Sequence, residues 1–417
     1  MSFQQGLSGL NGASKQLETI GNNIANANTV GFKSAVTQFS DVYANSLSGT
    51  SGLGTAGIGT RVSQIAQQFS QGNITASNSA LDMAVNGGGF FRLNKDGAVS
   101  YARNGQFQID REGFIVSNDG GRLTGFVANN LGVLQTGSPT DLRISTADLA
   151  PQQTTEVEAQ LNLDSRLTAP TTAFNAATLD TTMYNSSTSA TVYDSLGNSH
   201  VVQLYFRKQP APAVNTWDVY ATTNSAGASI TNAGNLAATL TFNDAGQLTG
   251  GSPGTINIAL TNGASTPLNG AAGIALDFDD TTQFGSAFGV NALAQDGFAS
   301  GRLSGFNVGN DGTITGRYTN GKTSTLGQVV LANFSNPNGL QPLGNNQWAE
   351  SAASGVALVG APNSGRLGLI QSSATEDSNV DLTAELVNMI TAQRVFQANA
   401  QTIKTQDQVL QTLVNLR

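Results

Sequence analysis

The 417-residue sequence predicts a multidomain, mainly β protein closed by an α-helix at each end. Two observations carry that expectation. Residues 1–33 and 380–416 place apolar side chains at helical spacing. The residues between them are rich in Gly, Asn, Thr and Ser, and they alternate in short strand-like runs separated by Asp-Gly and Asn-Gly pairs. A chain that is helical at both ends and strand-rich in the middle folds back on itself so that its ends meet. That architecture suits the building of assemblies better than the shaping of an active site.

The N-terminal helix counts in steps of 4 and 3 through Phe3, Leu7, Leu10, Leu17 and Ile24, with Ser14 and Gly21 as gaps. Gly6, Gly9, Gly12 and Gly21 weaken it, each by about 1 kcal/mol relative to Ala. It is therefore expected to order only against partners. The C-terminal helix is stronger. Leu382, Leu386, Met389, Phe396, Ala400, Ile403, Leu410 and Val414 follow one heptad seam, interrupted by Gln393 and Asp407. Ser378 or Asp381 can cap it, with Glu385 in its first turn. Val387, Ile390, Val395, Val409 and Leu413 widen the apolar stripe beyond a two-helix seam, so this helix calls for several neighbours. The two terminal helices are expected to pair as a coiled coil.

Between the ends the organisation is nested. Residues 34–72 and 360–374 read as connecting regions, the first containing a Gly/Ser/Thr-rich linker at 45–60. Residues 73–145 and 285–359 read as two halves of an inner β-domain, with turns expected at Asp96-Gly97, Asn104-Gly105, Asp119-Gly120, Asp311-Gly312 and Asn320-Gly321. Residues 146–284 read as an inserted outer β-sandwich or barrel, built on runs such as 190–194, 200–206, 216–221 and 237–242. The terminal helical domain is 1–33 with 375–417.

Composition narrows the chemistry. Charged residues make up 11% of the chain, against about 25% in ordinary soluble domains. Such a surface suits close self-packing, where charges are costly to desolvate. The net charge of −8 argues against nucleic acid or an anionic membrane as partner. No apolar run reaches the roughly 18 residues of a membrane helix. Cysteine is absent, which excludes disulfides, thiolate metal sites and cysteine nucleophiles. His200 is the single histidine and lies within a strand pattern, which fits a structural role. Gly52-Leu53-Gly54-Thr55-Ala56-Gly57 matches GxGxxG, but polar loop residues precede it, so it reads as linker rather than dinucleotide site. Asp277-Phe278-Asp279-Asp280 reads as a solvated turn, because the twelfth position of a calcium loop would be Phe288. No catalytic, cofactor-binding or metal-ligating residue is expected. The N-terminus has no basic segment followed by an apolar one, so no cleaved secretory signal is expected.

Several motifs share one likeness. Ser8-Gly9-Leu10 followed by Asn22, Asn23, Ile24, Ala25, Asn26, Ala27, Asn28, Thr29, Val30, Gly31, Phe32 and Lys33 resembles the N-terminal signature of bacterial flagellar rod and hook proteins. Gly87-Gly88-Gly89-Phe90-Phe91 resembles the strand that opens that family's inner β-domain. Residues 378–382 and 393–399 resemble its C-terminal signature, and Val192-Tyr193-Asp194-Ser195-Leu196-Gly197 a motif of its hook branch. The resemblance implies a subunit exported through the flagellar type III apparatus without signal cleavage. It implies self-assembly under a hook cap into a curved tube between rod and filament, with the terminal helices forming the inner tube. Implied partners are further copies of the chain, the distal rod protein, the hook cap, the hook–filament junction protein and the export apparatus. A distal rod or other axial protein is the alternative, and a secreted adhesin with a glycan-binding domain at 146–284 a more remote one.

Overall fold

The computed structural model describes residues 2–42, 57, 59–129, 132–145, 147–213, 215–264 and 273–415, with side chains as far as Thr412. Gly52–Ala56 of the GxGxxG run and the side chain of Val414 lie outside the described residues. The chain forms two compact units. Unit 1 comprises Met1–Thr146, Gly305–Arg317 and Thr323–Arg417; unit 2 comprises Ala147–Ser304 and Tyr318–Lys322.

In unit 1, helix α1 spans Ser2–Ala25 and helix α2 spans Leu382–Asn415. Asp381 starts α2: its Oδ1 accepts hydrogen bonds from the backbone N–H groups of Thr383 and Ala384, at 2.9 and 3.1 Å. The connecting region expected at 34–72 carries a two-stranded antiparallel ribbon, β1 (Ala35–Val42) and β2 (Gly59–Gln67). The ribbon lies on α1. Thr60 N–H donates to Ser8 Oγ, Gln5 Nε2 donates to the Gly57 carbonyl, and the hydroxyls of Thr19 and Thr37 meet at 2.9 Å. Six neighbouring strands of the main sheet run in the order Thr323–Val329, Arg122–Val127, Phe90–Lys95, Ala98–Ala102, Gln347–Ala349, Gln341–Gly344. Phe90 and Phe91 are both buried on opposite faces of one strand. Phe90 joins an aromatic cluster with Phe69, Phe334 and Trp348, while Phe91 packs edge-on to Phe107.

The turn signals divide. Asp96-Gly97 has positive φ at both residues (52° and 88°), the geometry of a tight hairpin. Asn104-Gly105 is not a hairpin turn. The strand before it pairs with Phe90–Lys95 and the strand after it with Ile115–Ser117. Glycine stands there because a Cβ would sit 1.6 Å from the Met83 carbonyl oxygen. The segments near 360–376 also form strands: Leu369–Ser372 pairs with Met83–Asn86, and Ala374–Glu376 with Ile74–Ala76.

Unit 2 is a β-sandwich. One sheet has five antiparallel strands in chain order, Ser186–Tyr193, Ser199–Lys208, Thr216–Thr223, Leu236–Phe242 and Leu248–Gly250. The other runs Gly254–Ile256, Ile274–Asp277, Glu156–Asn162, Gly289–Gln295. Alternate residues of both sheets, among them Leu161, Leu204, Phe206, Trp217, Val219 and Leu276, fill one core. Residues 285–304, expected in the inner β-domain, belong to unit 2, because Gly289–Gln295 pairs along Glu156–Asn162. That strand is exposed along nearly its whole length and so carries no alternating signal.

Candidate assembly site

The chain ends meet in unit 1, and the signature residues are what fasten them. Helices α1 and α2 run antiparallel. Gly6 and Gly9 lie against Asn399 and Ile403 at one end, and Asn23 bonds to Glu385 at the other. A Cβ on Gly9 would stand 2.7 Å from the Asn399 side chain, and one on Gly6 would stand 3.1 Å from Ile403. Two of the glycines that lower helix propensity, Gly6 and Gly9, are thus the residues that let the two backbones approach. Gly12 serves β1 in the same way, since a Cβ there would stand 3.1 Å from the Phe39 ring.

The contact face is not the one that apolar counting selects. On α1 the buried residues are Gly6, Gly12, Ala13, Thr19, Ile20 and Asn23. Of the expected seam, Phe3 is 45% and Leu7 44% exposed, and Leu10, Leu17 and Ile24 are half-buried. On α2 the covered positions are Glu385, Met389, Ala392, Phe396, Asn399, Ile403 and Gln406, in steps of 4 and 3, together with Ala400 of the expected seam. Met389, Phe396 and Ile403 stand where the heptad places them. The other half of the seam shifts by one residue, leaving Leu382, Leu386 and Leu410 exposed together with Val387, Ile390, Val395 and Val409. The physical reason is fit. Small and amide side chains permit a close, hydrogen-bonded approach that Leu at those positions would block.

The signature turn follows α1. Asn26 Nδ2 donates to the Asn22 carbonyl, and Thr29 Oγ1 donates to Asn26 Oδ1, closing the helix end. Ala25 is exposed and Phe32 half-buried. Asn23 is buried and pairs with Ala35 as a strand would: its Oδ1 accepts from Ala35 N–H at 2.9 Å and its Nδ2 donates to Ala35 O at 2.8 Å. The same Nδ2 reaches Glu385 Oε1 at 3.0 Å. One amide therefore ties α1, β1 and α2. Gly31 has φ +70°, and a Cβ there would stand 2.5 Å from the Asn104 nitrogen, so the position admits only glycine.

Lys33 closes the motif. It is buried, and its Nζ donates to Glu376 Oε1 at 2.6 Å and to the Ser70 carbonyl at 2.8 Å. Arg103 donates to the other carboxylate oxygen, Oε2, at 3.1 Å and to the Gly87 carbonyl at 2.8 Å. Backbone N–H groups of Gly72 and Gly31 donate to the Glu376 side chain and carbonyl, at 2.9 and 2.8 Å. Burial pushes the Lys33 ammonium below its ordinary range, against the pull of Glu376, and does the same to Arg103. Beside this cluster Asn379 Oδ1 accepts from Ser34 N–H, and its Nδ2 donates to the Gln68 carbonyl. Glu376, Arg103, Glu385, Asn379 and Asn399 are the contacting residues that sequence periodicity misses. Glu376 lies 343 residues from Lys33.

Elsewhere the sequence-level candidates are structural. His200 is buried in unit 2, with Nε2 3.1 Å from Asp194 Oδ2. Asp277 Oδ1 accepts from Ser252 Oγ and from Asp279 N–H, which closes its turn. Among the described residues no cluster of His, Cys, Asp and Glu is arranged to hold a metal ion.

Four family models match the chain. The Flagella basal body rod protein model covers residues 3–33 and the Flagellar hook protein FlgE/F/G D1 domain model covers 84–165. The Flagellar basal body protein FlaE D2 domain model covers 162–298, and the Flagellar basal body rod FlgEFG protein C-terminal model covers 371–416. The chain is 43% identical to the flagellar hook protein FlgE of Salmonella typhimurium, over 100% of both chains. It is 42% identical to the FlgE of Escherichia coli K12, again over 100% of both. It is 34% identical to that of Borreliella burgdorferi, over 100% of this chain and 99% of the other. The chain belongs to the flagellar hook protein FlgE family. The resemblance read from residues 8–33 is thereby correct, and so is the mainly β fold with terminal helices. The crystal structure of the Helicobacter pylori hook protein FlgE2 has the same fold, with a TM-score of 0.53 at 13% identity over 72% of this chain and 100% of that one. In this hook-family chain the signature is a fastening device: Asn23 and Lys33 each join segments from both ends.

Proposed function

We propose that this chain is a structural subunit of the bacterial flagellar hook, and that copies of it polymerise into a curved, flexible tube that passes torque from rod to filament. The observation that carries the reading is the helix pair, in a chain that matches hook proteins from end to end. It is fastened internally largely through Gly, Asn and Ala, while many of its large apolar side chains, Leu7, Leu386, Val387 and Ile390 among them, are left uncovered. Burying each such side chain is worth about 1.5–3 kcal/mol. The expected seam therefore works between copies, with the terminal helices of neighbours packing around the inner tube.

The role is structural rather than enzymatic. The low charge content lets neighbouring copies slide past one another without desolvating ions. The subunit reaches the extracellular hook through the flagellar export apparatus, uncleaved. Its heterologous neighbours are the distal rod protein, the hook cap and the hook–filament junction protein. The models matching the two ends also describe rod proteins, which keeps a distal rod subunit as the second reading. Electron microscopy of polymerised chain separates the two: curved, bendable tubes are expected, and straight rigid rods would favour the rod.

A further inference from the structure

We propose that Lys33, Arg103 and Glu376 form a two-state latch that seats both terminal segments on the β-structure of unit 1 together. The three charged groups come from places far apart in the chain: the end of the signature turn, the residue after strand Ala98–Ala102, and the strand entering α2. All three are buried, with side-chain exposures of 0%, 4% and 0% in the order Lys33, Arg103, Glu376. One carboxylate is shared by two cations, so the closed site carries one excess positive charge.

That arithmetic removes the state in which Glu376 alone has left. If the strand carrying Glu376 leaves, two buried cations face each other with no anion, and neither can stay dehydrated. If the segment carrying Lys33 leaves, Arg103 and Glu376 remain as a pair, but Glu376 Oε1 is left with the Gly72 N–H and the Ser70 carbonyl with the Asn379 amide, each without its charged donor. The four groups that accept from or donate to this cluster, Ser70, Gly72, Val85 and Gly87, belong to the segments on which the chain ends sit. The closed state is also not saturated. Arg103 Nε is buried without a hydrogen-bond partner among the described residues. In the open state that group is hydrated, which offsets part of the bonding lost on opening. A seat of this kind is either fully made or fully released, and both ends release as one.

The test uses the full chain. With the seat closed, the buried Lys33–Ser34 bond should resist trypsin. Glu376→Gln should raise its cleavage rate at least tenfold while the strands Phe90–Lys95 and Arg122–Val127 stay intact. An unchanged rate would overturn the proposal, as would loss of unit 1 as a whole. Hydrogen exchange on the unaltered chain gives an independent reading. The amides of Gly31, Ser34 and Gly72 should share one opening equilibrium, at least tenfold more frequent than the opening that exposes the core amide of Leu142, which is bonded to Leu123. Three unrelated exchange rates, or protection equal to that of Leu142, would show that no latch opens.

Discussion

Unit 2 and the terminal helix pair solve opposite problems. The sandwich buries its large apolar residues within itself: Trp217, Phe206, Phe278, Leu161 and Leu204 are all essentially inaccessible. The helix pair buries mainly small and amide side chains, with Ile20 among them, and leaves Leu7, Leu382, Leu386, Val387, Ile390, Val395, Val409 and Leu410 outside. The first is a finished object; the second is one side of an interface. Stability measured on the free chain should therefore report on the sandwich, and polymerisation on the helices.

The largest effect that would break this contrast lies in the sandwich. Trp217→Ala should destabilise unit 2 by about 3–5 kcal/mol. The indole fills the core, and its Nε1 donates to Gln283 Oε1 at 3.1 Å. Thermal or urea unfolding followed by circular dichroism should show the loss, with α1 and α2 unaffected at temperatures where unit 2 melts. Simultaneous loss of the helices would deny the units their independence.

Next in size is the converse experiment. Leu386→Lys with Ile390→Lys changes residues that are 50% and 51% exposed, so the free chain should keep its melting temperature within about 1 kcal/mol of stability. Polymerisation should fail, its critical concentration rising at least tenfold for each side chain that loses about 1.5–3 kcal/mol of burial. Sedimentation of polymer against chain concentration measures this. Normal polymerisation of the double variant would remove the helix face from the proposed interface.

These two sites also show what the sequence made legible. Helices at 2–25 and 382–415 follow from the 3.6-residue period, and sandwich strands such as 199–208 and 216–223 from alternation. The helix faces did not follow. Periodicity scores apolar residues, whereas contact is chosen by how closely backbones approach, and that rewarded Gly6, Gly9, Ala392 and Asn399. The partners of Lys33 were invisible for another reason: a buried lysine states that an anion is needed, but not where in the remaining chain it lies. The motif at 22–33 could be recognised without any of this. Its physical content, an amide mimicking a strand and a lysine reaching across the fold, is visible only in three dimensions.

A smaller effect comes from acid. The Asp194 carboxyl is buried and accepts from Asn198, His200, Asn262 and the backbone N–H groups of Leu196 and Asn198. Those bonds outweigh its burial and hold it well below the ordinary value of 3.8. The unfolded chain takes up a proton near 3.8 and the native chain does not, so this contribution to stability is complete above that pH and is lost progressively below it. Unit 2 should melt at a falling temperature as pH drops from about 5 to 2.5. Asp194→Asn should be less stable at pH 7 by roughly 1–3 kcal/mol and show a shallower acid slope. Equal slopes would assign the acid response to other carboxylates.

The finest test separates two glycines of α1 that the sequence treats alike. Gly21 has no atom within 4 Å of where a Cβ would sit, so Gly21→Ala should gain up to about 1 kcal/mol of helix stability. Gly9→Ala has the same propensity gain, but its methyl meets the Asn399 amide at 2.7 Å, and that side chain must swing away. The two terms should nearly cancel. Enlarging the residue removes the cancellation: Gly9→Val should cost about 1–3 kcal/mol through overpacking. Asn399→Ala should recover part of that cost in the double variant, because the obstructing group is then gone. Helix content against temperature, read at 222 nm, gives all four values. If Gly9→Val is tolerated as well as Gly21→Ala, the close approach of α1 and α2 is not what glycine is there to permit, and the contrast between a finished sandwich and a half-built helix pair loses its structural basis.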